Sequence, residues 1–248
     1  MVLVSSDVPP WSTTATGKSA KRRGRPRKSP QPKAPQTQGA LIFDIETGPL
    51  PADQLDQYWD ESAVKTGNLR DPAKIAEKIV EARTAFVERA ALDPITGRVL
   101  AIGLQSPSGW SLCDASEESD LLIAFWQQID AAISSQLPVV GWNVHDFDLP
   151  FLIGRSRILG VNIPAGLRHG RYWSDLITDL MKIWTLDRYG TYAKLDTVGR
   201  ALGLGGKTDG IDGSQFHVLW STDRAKAVEY LRRDVELTAA IHERIGSL

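Results

Sequence analysis

The sequence predicts an α/β fold, a mixed β-sheet with helices on both faces. Three observations carry this. An apolar run, "LIFDIETGPL" at 41–50, opens the folded part; two runs at 98–105 and 110–115 flank a turn; and helix and strand patterns then alternate towards the C-terminus. A strand, an antiparallel pair and then alternating elements require a sheet of mixed direction.

Each element has its own local signal. Leu41, Ile42, Phe43 and Ile45 are strand formers, and Gly48-Pro49 punctuates the run. A connection over 51–96 contains Asp71-Pro72, an N-cap acceptor followed by proline at the first helical position. Ile75, Ile79, Ala82, Phe86 and Ala90 recur at helical spacing, so an amphipathic helix is expected over 72–91. "DPITG" at 93–97 is a turn into "RVLAIGLQ", and Pro107-Ser108-Gly109 turns into "WSLCDA". A helix follows over 117–134 with acids in its first turn, then a buried strand, "LPVVGWN". Asp148 is expected at the N-cap of the next helix, with Pro150 near its start. Further on, the pattern predicts a short strand near 171–173, helices near 175–186 and 194–203, and a glycine-rich loop over 205–213. A long helix from about Thr222 ends the chain.

Charge divides the chain unevenly. Residues 1–39 hold eight basic side chains against one acid, a formal +7, while the rest holds 21 basic against 29 acidic, −8. The first 39 residues also contain six of the 14 prolines and show no periodicity, so they are expected to be a disordered basic tail. A basic tail on an acidic body points to a polyanion for the tail and cations for the body. Within the tail, Arg23-Gly24-Arg25-Pro26 resembles the AT-hook core, an extended peptide lying in the narrow minor groove of A·T-rich DNA. Gly24 permits close approach, Pro26 favours an extended path and arginines seek the groove's negative potential. A generic polyanion-binding tail is the alternative.

The single cysteine, Cys113, excludes an internal disulfide and fits a reducing compartment. No apolar run approaches the 18 or so residues of a membrane span, and the N-terminus lacks the pattern of a signal peptide. A soluble, cytoplasmic protein with no membrane partner is expected, its oligomeric state open.

Candidate chemistry begins with Asp44 and Glu46. On a strand they project from one face, and two unit charges about 4 Å apart repel by about 4 kcal/mol at an effective dielectric near 20. Either the pair sits at a solvated strand end or cations share it. Two further stretches bear on that choice: "GWNVHDFDLPFL" at 141–152, where a strand end meets Asp148, and "YLRRDVEL" at 230–237, where Tyr230 and Asp234 stand one helical turn apart. Taken singly, Asp148 reads as a cap and Tyr230–Asp234 as a surface pair.

Together, "FDIET", the N-x-x-x-F-D-x-P run from Asn143 to Pro150, and the Y-x-x-x-D run from Tyr230 to Asp234 resemble the three motifs of DnaQ-like exonucleases, in order. The tyrosine marks the DEDDy branch, and "ALDPITGRVLAIGL" and "DGSQ" are similar to standalone 3′–5′ exonucleases related to the proofreading domain of family-B DNA polymerases, many in phage and prophage regions. The likeness spans about 40–245. It implies an RNase H-like fold over 40–248, with 51–96 as a helical insertion, and two divalent cations, Mg²⁺ or Mn²⁺. By motif, Asp44, Glu46 and Asp234 hold one ion, Asp44 bridges to the second, Asp148 serves the second, and Tyr230 orients the attacking water. Carboxylates suit such hard cations, and a pair of them suits in-line phosphodiester displacement. Tyrosine's ordinary pKa near 10 favours positioning over proton abstraction.

Asn143 and Phe147 are candidate substrate contacts. Trp142 and Phe147 could stack on terminal bases or simply pack. His145 and Asp146 lie beside the second motif but off its spacing. His169, His217 and His242 lack metal-ligand spacing, and Asp175, Asp179, Asp196 and Asp212 read as helix-end or loop acids. The expected substrate is the 3′ end of single-stranded DNA, with the tail on duplex and a nucleoid-associated, phage-type setting. RNA is the alternative substrate, and a non-catalytic DNA-binding protein with an inactive domain the alternative class; retention of all four carboxylates weighs against the latter.

Overall fold

The computed structural model describes residues 39–167, 177–205 and 216–245. Five strands form one mixed sheet in the order β3-β2-β1-β4-β5: β1 Leu41–Pro49, β2 Gly97–Ser106, β3 Gly109–Cys113, β4 Val139–Gly141 and β5 Ile177–Asp179. β1 is antiparallel to β2 and parallel to β4, and β5 continues the parallel edge. The sheet of mixed direction expected from the sequence is therefore present, flanked by helices as expected.

The period-two alternation of β1 sends its side chains into two cores. Leu41, Phe43 and Ile45 enter one with Leu122, Phe125 and Ile129 of α3 (Glu118–Ser134) and Leu152 of α4 (Asp148–Leu159). Ile42 enters the other with Leu231, Val235 and Ile241 of α8 (Arg224–Ile245). Asp44 and Glu46 share the parity of Ile42 and so face the α8 side. Opposite them on β2 stand Gly103 and Ala101, small residues that leave room. A β-bulge follows directly: Glu46 pairs with Ala101 but Thr47 with Val99, so Leu100 is the extra residue. Leu100 and Ala101 consequently lie in the same core although adjacent in sequence.

The buried face of α8 is a single stripe of Ala227, Tyr230, Leu231, Asp234, Val235, Thr238, Ile241 and Ile245. Between α3 and α4, Arg155 forms a two-pronged bond to Glu118 (2.9 and 2.7 Å) and donates to the Pro94 carbonyl at 3.0 Å; Glu118 also accepts from the Val99 amide. α4 ends at Gly160, whose φ of 69° is the left-handed cap conformation glycine adopts without strain.

In the 51–96 segment, α1 (Ala52–Leu55) and two 3₁₀ turns precede α2 (Pro72–Ala90), which starts with the Asp71 side chain accepting from the Ala73 amide. Only its last turns are well packed: Phe86, Val87 and Ala90 join Leu50 and Leu55, and Thr47 Oγ1 donates to the Ala91 carbonyl at 2.6 Å.

Several expectations are corrected. Phe147, not Asp148, is the N-cap residue of α4; Asp148 is the first helical residue, its carboxylate turned instead to the Ile45 amide. In its described part, from Ile177 on, the helix expected over 175–186 is a strand and a short helix, because Ile177–Asp179 pairs with the free parallel edge of β4 and Asp179 caps α5 (Leu180–Thr185). α6 spans Leu195–Ala201, and α7 (Phe216–Thr222), which no periodicity announced, precedes the final helix at Arg224. The strand near 171–173, the loop beyond Gly205 and the tail with Arg23, Gly24, Arg25 and Pro26 lie outside the described residues.

Candidate metal centre

Asp44, Glu46 and Asp234 each offer a carboxylate oxygen within 4.8 Å of the others. They come from β1 and from α8, close to 190 residues apart in sequence, and the α8 stripe accounts for their meeting. Asp44 is half-buried, Glu46 and Asp234 are buried, and no histidine or cysteine belongs to the group. Three carboxylates so close repel strongly where water is scarce, by roughly 4 kcal/mol per pair at effective dielectric 20. An all-oxygen donor set of this charge fits a hard divalent cation such as Mg²⁺ or Mn²⁺.

Asp148 sits beside this group. It is buried, and its Oδ1 accepts from the Ile45 amide at 3.3 Å, which places it against the strand residue between Asp44 and Glu46. Burial pushes its carboxyl up to about 7, with the negative charge of Asp179 acting in the same direction and the Ile45 amide opposing both. A cation nearby would reverse that balance.

Tyr230 is buried one turn before Asp234. Its ring lies 6.0 Å from that of Phe216, which stacks on Trp220 at 5.5 Å; the Arg224 guanidinium covers Trp220 at 4.0 Å and pairs with Asp114. α7 thus backs the tyrosine with an aromatic ladder tied to the end of β3.

The loop after β4 is held by a residue that the sequence reading set aside. Asp179 accepts from the Asn143 and His145 amides (both 3.0 Å) and from the Met181 and Lys182 amides that open α5. Asn143 has φ 62°, a left-handed conformation that asparagine tolerates better than most residues. The available sign was an acid directly before the helical run Leu180-Met181-Lys182, obscured by starting the helix at 175. Lys182 also pairs with Asp146 at 3.0 Å. Burial lowers the His145 imidazole pKa, with Asp179 opposing.

Of the aromatic candidates, Trp142 packs: it is buried, and its indole N–H donates to the Ala193 carbonyl at 2.9 Å. Phe147 is half-buried, tilted against Phe151 at 5.8 Å. His217 and His242 lie on α7 and α8 outside the carboxylate group, Asp196 pairs with Arg200, and His169, Asp175 and Asp212 lie outside the described residues. Among the described residues, no helix is long and apolar enough to cross a membrane.

Known proteins resemble this chain in sequence and in fold. The DNA polymerase 2 of Aeropyrum pernix is 27% identical over 175 residues, 61% of this chain and 21% of the polymerase. An uncharacterized protein of Methanocaldococcus jannaschii is 27% identical over 167 residues, 63% of this chain and 90% of that protein. The fold is similar to that of the family B DNA polymerase from Pyrobaculum calidifontis, with TM-score 0.56 and 19% identity over 83% of this chain and 24% of the polymerase. The profile of one family, described as a predicted 3′–5′ exonuclease related to the exonuclease domain of PolB, matches residues 104–246, a span that includes Asp148, Tyr230 and Asp234. With more than half of its length matched, the chain belongs to this family of PolB-related exonuclease domains.

Proposed function

We propose that this protein is a divalent-metal-dependent 3′–5′ exonuclease that hydrolyses the terminal phosphodiester bond of single-stranded DNA. The observation that carries the reading is the convergence of Asp44, Glu46 and Asp234 from β1 and α8, with Asp148 tied to the strand between the first two. Asp44, Glu46 and Asp234 would hold one ion, and Asp148 with Asp44 a second. When bound, such a pair supplies electrostatic stabilisation of the attacking and leaving oxygens of an in-line displacement. Tyr230, anchored through Phe216, orients the water that attacks the terminal phosphate. Asn143 and Phe147, next to Asp148, contact the terminal nucleotide. Residues 40–248 form the nuclease domain, and the 51–96 insertion shapes the strand's approach. The tail, through Arg23, Gly24, Arg25 and Pro26, tethers the enzyme to the minor groove of duplex DNA in the nucleoid.

A 5′-labelled single-stranded oligonucleotide tests the reading, with Mg²⁺ or Mn²⁺ and an EDTA control. Wild type should yield a ladder shortening from the 3′ end that requires metal and vanishes in Asp44→Ala. An intact oligonucleotide with well-folded wild type, for both DNA and a matching RNA, would sink it; cleavage of RNA alone would reassign the substrate. Removing residues 1–39 should weaken duplex binding and flatten its salt dependence while sparing turnover on short single strands. Removing residues 72–90 should alter strand preference.

A further inference from the structure

The end of α5 and the segment after it break the usual rule for surfaces. Trp184, Leu186, Tyr189 and Tyr192 are exposed by 40%, 82%, 105% and 65%. Large apolar side chains clustered on a surface mark a binding face. Arg188 and Lys194 are exposed among them and outnumber the one acid of the stretch 186–194, Asp187, so that it is locally basic on a body with a formal charge of −8. Rings interleaved with cations suit a polyanion whose bases have π-faces, namely single-stranded nucleic acid.

The segment is also ordered. The Asp187 amide donates to the Lys182 carbonyl at 2.8 Å, the Thr191 amide to the Arg188 carbonyl at 3.1 Å, and Thr185 Oγ1 to the Met181 carbonyl at 2.8 Å. These bonds hold the backbone while the rings face outward, so little ordering cost remains for a bound strand. Three contacts fasten it and α5 to the loop that precedes Asp148. Trp142 binds the Ala193 carbonyl at its far end, Lys182 pairs with Asp146 at its near end, and Asp179 joins the start of α5 to Asn143 and His145.

We propose that Tyr189 and Tyr192, with Arg188 and Lys194, form a stacking platform for the single-stranded DNA leading up to the terminal nucleotide. The platform rests on the nuclease reading above and extends it from the reacting bond to the strand behind it. Its occupant is DNA because the charge and the rings match a strand rather than an acidic protein surface, and because the segment is tied to the loop that leads into Asp148.

The test compares wild type with Tyr189→Ala/Tyr192→Ala and Tyr189→Phe/Tyr192→Phe. Substrates are a single strand of about 20 nucleotides and a dinucleotide, which leaves a single nucleotide behind the scissile bond. The alanine variant should raise KM for the long strand about ten-fold, leave kcat within about two-fold, and treat the dinucleotide as wild type does. The phenylalanine variant keeps the rings and should match wild type on both. With Ca²⁺ in place of Mg²⁺, quenching of a 2-aminopurine placed internally in the long strand should accompany binding to wild type and disappear in the alanine variant. Equal KM and equal quenching in wild type and the alanine variant overturn the platform, as does a variant that changes only the sedimentation of the protein. Quenching by a wild type that cleaves nothing would sustain the platform and overturn the nuclease reading alone.

Discussion

The backbone amide of Ile45 donates to the carboxylate of Asp148 at 3.3 Å, across 103 residues of sequence. Ile45 lies between the two carboxylates of β1 and sends its own side chain into the core beneath α3 and α4. One residue therefore joins core packing to the placement of a fourth acid. The bond sets the position of Asp148 without restoring its ordinary acidity: burial still pushes its carboxyl up to about 7.

Metal should stabilise the fold, and the carboxylates should decide how much. At a concentration about 100 times its dissociation constant, a ligand that binds only the folded state adds about 2.7 kcal/mol. Wild type should show a Tm that climbs with Mn²⁺, while Asp44→Asn and Asp234→Asn should show little climb. Without metal these variants should melt no lower than wild type, since each removes one of three crowded charges. A full Mn²⁺ response in both variants would contradict the metal centre.

Asp148 predicts a pH dependence of the metal-free protein. Its pKa rises from an ordinary 3.8 to about 7 on folding, so the folded state keeps a proton that the unfolded chain has lost. That contribution is complete below about pH 4 and is lost as pH rises towards 7 and beyond. Asp148→Asn should match wild type at about pH 3 and exceed it by roughly 2–4 kcal/mol at about pH 8. Urea unfolding of both proteins in EDTA measures the difference; a gap that does not widen with pH refutes the assignment.

The Arg155–Glu118 pair is nearly dry, with side-chain exposures of 4% and 12%. Arg155→Met strands Glu118 without its partner and should cost about 3–5 kcal/mol, whereas Arg155→Met/Glu118→Gln should recover a substantial part. Denaturant midpoints of the two variants report this, and equal losses would show that the charge itself is not the cause.

Gly103 stands opposite Asp44, and a Cβ there would come within 2.7 Å of the Trp110 ring and 3.0 Å of Leu231 on α8. Gly103→Ala should therefore cost about 1–3 kcal/mol and displace α8 relative to β1. Nuclease activity should fall more than the folded fraction does, because Asp234 rides on α8. Trp110→Leu in the same chain should restore both in part; activity unaffected by Gly103→Ala would separate this contact from the site.

Local chemistry explains what could be read without coordinates. The alternation of β1 placed Asp44 and Glu46 on one face, the proline after Asp71 marked the start of α2, and helical spacing put Tyr230 and Asp234 together on α8. These are properties of a few adjacent residues, and they survive in any tertiary context. The α8 stripe extends that reading over 22 residues, because one buried face imposes one period.

Contacts between distant segments behave differently. Sequence spacing made Asp148 a cap, yet the amide of Ile45 and the burial around it drew the carboxylate towards β1 and left Phe147 at the cap. Asp179 looked like a helix residue because the open edge of β4 cannot be seen in the sequence; pairing with that edge made a strand of Ile177–Asp179 and freed the carboxylate for four amides. The sequence by itself determined which side chains share a face, since backbone periodicity needs no partner. Which faces meet, and which acid serves the backbone rather than the cluster, was decided only when the sheet closed, because a buried amide or an unpaired edge takes its partner from whatever segment packing brings within reach.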